Sequence, residues 1–152
     1  MSTGPLKRDG QNGQIAYPKK TVTVLANGAI TAGDVVMVET DTAADPDPDV
    51  YGAAGFIVKA SDANDSPLAC GVALTTAADG EAVTIQVAGF NDSCTSDGAI
   101  SINVMVGSAA SGDVSTWASE SGTSQPFAVC VNAFSGTTND GDILIIDKGW
   151  FG

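Results

Sequence analysis

From Thr21 onward, apolar residues gather in short runs, mostly set off by Gly, Asp, Asn or Ser, and in Thr21–Leu25 and Ala82–Ala88 they alternate with polar or small residues at every second position. That period places alternate side chains on opposite faces of an extended chain, so it predicts half-buried strands. The runs are Thr21–Leu25, Val35–Val38, Phe56–Val58, Gly71–Leu74, Ala82–Ala88, Ile102–Val106, Phe127–Val131 and Ile143–Ile146. The strongest local unit is Gly71–Leu74, then Asp79-Gly80-Glu81, then Ala82–Ala88. An Asp-Gly turn between two such runs predicts a hairpin, with Val83, Ile85 and Val87 facing the core. Ala26-Asn27-Gly28 and Ala32-Gly33-Asp34 read as further turns.

Two long connections separate the runs. Residues 39–49 form an acidic loop carrying Asp41, Asp45, Asp47 and Asp49. Residues 107–125 are small and polar around Trp117 and read as one long loop. The second half echoes the first. Gly98-Ala99-Ile100 repeats Gly28-Ala29-Ile30, and Asp140-Gly141-Asp142 precedes a strand as Asp79-Gly80-Glu81 does. The reading is therefore all-β, with one β domain over residues 21–152, built either as two similar lobes (21–90 and 98–152) or as one barrel with internal symmetry. Residues 1–20 lack any period and read as an extended arm, with Ile15 and Tyr17 as its anchors.

Composition sharpens this picture at a few points. Eighteen glycines, with abundant Ser, Thr, Asp and Ala, disfavour helices. Net charge is −12, and its sign is segregated. The first 20 residues hold four of the six cations, Lys7, Arg8, Lys19 and Lys20, against Asp9 alone. An acidic body lacks the basic face that nucleic acid requires and is repelled by anionic lipid, so neither is expected as a partner. The basic arm is suited to dock on an acidic surface, including a neighbouring copy of the same body. No apolar run reaches the roughly 20 residues of a membrane span, and the first residues lack the apolar stretch of a secretory signal, so synthesis in a cytoplasm is expected.

Candidate chemistry is sparse. The chain has no histidine, which removes the usual general base and the commonest zinc ligand. Its single arginine is Arg8. Cys70, Cys94 and Cys130 are widely spaced, without a CxxC pair, and read as buried free thiols. No catalytic residue, cofactor or metal ligand set is expected, and the chain does not read as an enzyme. Asp41–Asp49 does not match the calcium-loop spacing, and Pro46 and Pro48 stiffen it, so it reads as a solvated acidic loop with a weak divalent site as the alternative.

The order ANGAITAGDVVMVE followed by ACGVALTTAADGEAVTIQVAG resembles the small capsid cement, or head decoration, proteins of tailed bacteriophages. The features that carry the resemblance are Ala32-Gly33-Asp34 before a valine-rich strand, Gly71–Leu74, Gly80-Glu81 and the strand closing at Gly89. It covers residues 21–90; residues 98–147 match in style, and the 39–49 and 107–125 segments depart from the pattern. The resemblance implies a small β-barrel or β-tulip with an extended N-terminal arm. It implies a structural protein on the outer surface of the phage head, binding the major capsid protein and stabilising contacts between its subunits. It also implies self-association, as a homotrimer rather than a dimer. Lys7, Arg8, Ile15, Tyr17, Lys19 and Lys20 become the expected partner contacts, with Trp150 and Phe151 next. The alternative is another virion β-module from a tail, baseplate or fibre, in which Trp117 in its long loop would serve glycan binding.

Overall fold

The computed structural model describes residues 8–9, 14–15, 19–39, 57–118 and 124–151. Among them there is no helix, and the architecture is all-β. Five strands close a barrel: β3 (Lys20–Ala26), β4 (Val35–Glu39), β5 (Ile57–Ala60), β6 (Ala69–Ala73) and β7 (Ala82–Asn91). The order around it is β3-β5-β4-β6-β7, and β7 returns to pair with β3. All contacts are antiparallel except β3 on β5, where Leu25 meets Ile57 and Ala26 meets Val58 in parallel. Val83, Ile85 and Val87 point inward as the alternation requires, with exposures of 2 % or less. They pack with Val24, Ala26, Ile30, Val36, Val38, Val58, Cys70 and Ala73.

Strand β7 is long enough to serve two structures. Its stretch from Ala82 to Ala88 closes the barrel on β3; its last three residues, Gly89–Asn91, pair with β11 (Asp142–Ile145). The crossover sits at Gly89, whose φ of +93° is one that residues with a side chain rarely adopt. A buried polar knot fixes the bend. The Gln86 amide donates to the carbonyls of Ala88 (3.1 Å) and Phe90 (2.6 Å), and Asn91 Nδ2 donates to Gln86 Oε1 at 3.1 Å. Asn91 Oδ1 in turn accepts the Ser93 and Cys94 amides. Every buried polar atom in that bend therefore has a partner, which is the condition for burying Gln and Asn together.

Beyond the bend, β8 (Met105–Ser108), β9 (Val114–Thr116), β10 (Ala128–Asn132) and β11 repeat the strand order of β4–β7 and much of its register. Val36 pairs Gly71 as Val106 pairs Ala128; Ala73 pairs Ile85 as Cys130 pairs Ile143; Met37 pairs Lys59 as Gly107 pairs Ser115. The Ile30–Ala77 bridge corresponds to Ile100–Phe134. The parallel closure recurs too: Ser96 bridges Val114, and the Asp97 amide donates to Val114 O as that of Asn27 donates to Val58 O. The second half is thus a second, less complete barrel, entered through the strand it shares with the first. Its core holds Cys94, Ile100, Val106, Val114, Phe127, Cys130, Phe134, Ile143 and Ile145.

The two cores share a wall. Successive residues of β4 point to opposite sides, and so do those of β6 on either side of a bulge opposite Val36–Met37 that shifts its phase between Cys70 and Val72. Val36, Cys70 and Ala73 enter the first core, whereas Val35, Ala69 and Val72 join the second. All three of the latter have 0 % exposure. Both faces of these strands are dry, which explains their nearly unbroken apolar sequences.

Two sequence expectations change. Ile102 belongs to a turn rather than a strand: Asn103 takes φ +64°, as Gly33 takes +98° at the equivalent place, and Ile102 is 54 % exposed. Asn is the side-chain-bearing residue that best tolerates this conformation, so a strand pattern passes through a turn without a glycine to mark it. The 107–125 segment contains strand β9, which the Ser/Gly/Ala composition hid. The arm contains a two-stranded antiparallel sheet, with β1 (Arg8–Asp9) paired to β2 (Gln14–Ile15) across a segment carrying Gly10 and Asn12-Gly13.

Candidate partner-binding surface

Of the residues expected to touch partners, Lys7 and Tyr17 lie outside the described residues, as do Asp41, Asp45, Asp47 and Asp49. Arg8 and Ile15 are opposite one another in the β1–β2 pair. Lys19 is exposed and lines an open cavity of about 180 Å³ with Phe90, Asn91, Asp92 and Asp142. The body therefore presents two acids where the arm leaves it. Lys20, one residue on, starts β3 and is held by Asp147 at 3.3 Å.

The C-terminal aromatics fold back on their own chain. Trp150 and Phe151 are half-buried and pack with Val22 against the core of the first barrel. Lys148 fastens this segment: its Nζ donates to the Pro67 carbonyl at 3.0 Å and lies 4.9 Å from the centre of the Trp150 ring. Its charge then sits over the electron-rich ring face, a favourable arrangement. Burial lowers its pKa below the ordinary lysine value. Lys59 is also tied down, 2.9 Å from Asp62 and 3.3 Å from Glu39, and the hydrogen bond to Asp62 is the first cause of its raised pKa. Among the described lysines, Lys20 and Lys59 are thus paired with acids and Lys148 is held by a carbonyl and a ring face, while Lys19 is exposed.

The thiols are unreactive by placement. Cys70 and Cys94 are buried, and burial pushes the pKa of each up to about 12. A thiol, not a thiolate, is present at neutral pH, and the thiolate is the nucleophile. Cys130 is raised for the same reason and donates to the Asn132 carbonyl. Among the described residues, no three His, Cys, Asp or Glu side chains converge in a way that would hold a metal ion.

An acidic seam lies between the barrels. Asp34 and Asp97 are both raised, chiefly by burial, and Asp113 adds repulsion to each. Asp34 also caps its own turn, accepting the Thr31 amide at 2.8 Å. Asp65 accepts the Ala118 amide at 3.1 Å through Oδ2. Asp34 thus holds a turn and Asp65 Oδ2 joins segments of the two barrels, while Asp65 Oδ1 is buried with no hydrogen-bond partner.

The surface feature the sequence reading missed lies outside the second barrel. Met105 pairs Val129, Val129 pairs Leu144, and Leu144 pairs Phe90, so the four side chains form one row across four strands. All four are half-buried. Alternation within each strand carries the signal, but the order of the strands does not appear in the sequence.

No family model matches the chain, and no curated protein matches it in sequence. Its fold does have a solved likeness: the N base of head fiber gp8.5 in bacteriophage phi29, with a TM-score of 0.56 over 85% of this chain and 95% of that one. Sequence identity is 10%, so what the two share is the fold.

Proposed function

We propose that this chain is a structural component of a phage virion, carried on the outer surface of the head, where it binds the major capsid protein and stabilises contacts between its subunits. The observation that carries the reading is the fold likeness, over 85% of this chain, to the N base of a phage head fiber protein. The cement-like order of residues 21–90 supports it independently. So does the chemistry: buried neutral thiols and carboxylates engaged in turns suit a body that binds rather than transforms. The same likeness favours a second reading, in which the body is the base of a head fibre. In both, the arm around Lys7, Arg8, Ile15, Tyr17, Lys19 and Lys20 reaches the shell, and many weak contacts on one symmetric particle act together.

The test is quantitative mass spectrometry of purified heads, with and without tails. A cement protein is recovered at close to one copy per shell subunit or per cluster of subunits, and a fibre base at a small fraction of that. Absence from heads overturns both. Deleting residues 1–18 should abolish recovery if the arm docks, and unchanged recovery removes the arm from the account.

A further inference from the structure

Asn27-Gly28 is the one place among the described residues where Asn precedes Gly. That dipeptide carries a chemistry of its own. The Gly28 nitrogen can attack the side-chain carbon Cγ of Asn27. A bond forms between them, the Cγ–Nδ2 bond breaks, and ammonia leaves with the proton from the Gly28 nitrogen. Water then opens the five-membered imide to aspartate or isoaspartate. Glycine hinders the attack least, because it has no Cβ beside its nitrogen. The structure restrains both reacting groups. Gly28 N–H donates to Asp79 Oδ1 at 2.7 Å. Attack requires that nitrogen to give up its proton, and a carboxylate at this distance holds the protonated form and repels the anion. The Asn27 carboxamide donates through Nδ2 to Glu39 Oε2, and Glu39 is held in turn by Lys59 at 3.3 Å. Closing the imide ring requires the carboxamide to swing from Glu39 toward Gly28. The backbone is pinned as well: Asn27 N donates to Val58 O, and Ala26 O accepts from Gly80, each at 2.8 Å.

The second barrel already holds the product at the matching place. Where the first has Asn27-Gly28-Ala29-Ile30, it carries Asp97-Gly98-Ala99-Ile100, and Asp97 N donates to Val114 O as Asn27 N does to Val58 O. An aspartate therefore fits the backbone of this turn. We propose that Asn27 is a latent deamidation site, held closed in the folded chain by Asp79 and Glu39 and converted to aspartate or isoaspartate when the turn opens. Conversion replaces the bond to Glu39 by repulsion between two carboxylates, and isoaspartate also adds a carbon to the backbone. Both loosen the end of the first barrel where β3, β4 and β5 meet.

The experiment is peptide mass spectrometry of the full chain incubated at mildly alkaline pH, which separates Asn27 from its aspartate and isoaspartate products. Wild-type Asn27 should convert about tenfold or more slowly in the folded chain than in urea, as the loss of a hydrogen bond to a charged acceptor implies. Asp79 is exposed, so its variants keep the fold. Asp79→Asn retains an acceptor and loses the charge, and it should speed conversion in the folded chain. Asp79→Ala loses both and should speed it by about fivefold or more. Asn12, in the chain's other Asn-Gly pair, should convert at one rate in all three chains. Ile143→Ala weakens the second core and leaves the bonds of this turn in place, so Asn27 should convert in it as slowly as in wild type while it stays folded. Asn27→Asp should lower Tm by about 2–4 °C at neutral pH. Equal rates in folded and unfolded chains, an unchanged rate in Asp79→Ala, the same acceleration in Ile143→Ala, or an Asn27→Asp chain that melts with wild type would each overturn the proposal. These readouts need no phage particle, so their failure leaves the virion reading standing, and absence from virions leaves this one standing.

Discussion

Because strand β7 belongs to both barrels and Val35, Ala69 and Val72 pass from one into the core of the other, the two barrels should unfold as one unit. Ile143→Ala tests this. Ile143 is fully buried in the second core, and it is the counterpart of Ile85 in the first. Removing three buried carbons and leaving a cavity costs about 2–5 kcal/mol. With a urea slope of about 2 kcal/mol/M for a domain of this size, the midpoint should fall by roughly 1–2.5 M. The two tryptophans report on different barrels: Trp117 follows β9 of the second, and Trp150 packs on the first. In single-tryptophan chains, both signals should move together by that amount, and Ile85→Ala should give the same pair of shifts. If Ile143→Ala moved the Trp117 transition and left Trp150 in place, the shared strand would not couple the barrels and the reasoning would be refuted.

Other outcomes follow from single sites. A methyl at Gly71 would lie 2.1 Å from the Gln86 carbonyl oxygen. Gly71→Ala must therefore push β6 from β7, and thermal melting should show a loss of about 3 kcal/mol or more. Asp140 accepts hydrogen bonds from Ser135 and Thr138, which pull its pKa down to about 2. A depressed carboxylate stabilises the fold above its unfolded pKa near 3.8 and loses that contribution as pH falls toward 2. Asp140→Asn should therefore lower Tm at pH 7, with the gap from wild type narrowing as pH falls through 2. Asp34 and Asp97 work in the opposite direction: their raised pKa values mean that protonation favours the folded state, so their cost is present at neutral pH and relieved as pH falls through the folded values. Asp113→Asn should stabilise by about half a kcal/mol at pH 7, with the gain fading in acid, as pH-dependent urea titrations would show. With pKa values near 12, Cys70 and Cys94 should react with a thiol reagent at pH 8 about a thousandfold more slowly in the folded chain than when unfolded; equal rates would mean that they are not enclosed.

The all-β class and most strand positions were legible in the sequence, because period-2 alternation and Gly/Asp turns are local signals. Val83, Ile85 and Val87 face the core as the alternation of Ala82–Ala88 requires. Within the echo between Gly28-Ala29-Ile30 and Gly98-Ala99-Ile100, Ile30 and Ile100 make equivalent backbone hydrogen bonds, with Ala77 and Phe134. What tertiary structure alone decided is which strand neighbours which. No local pattern says that β7 is shared, that Gly89 bends it, or that Val35 and Val36 serve different cores. Side-chain alternation states which residues share a face of one strand. It says nothing of what that face meets, because pairing between strands distant in sequence is settled only when the chain closes on itself. For the same reason Met105, Val129, Leu144 and Phe90 read as four separate apolar positions in the sequence and become one surface only in the folded chain.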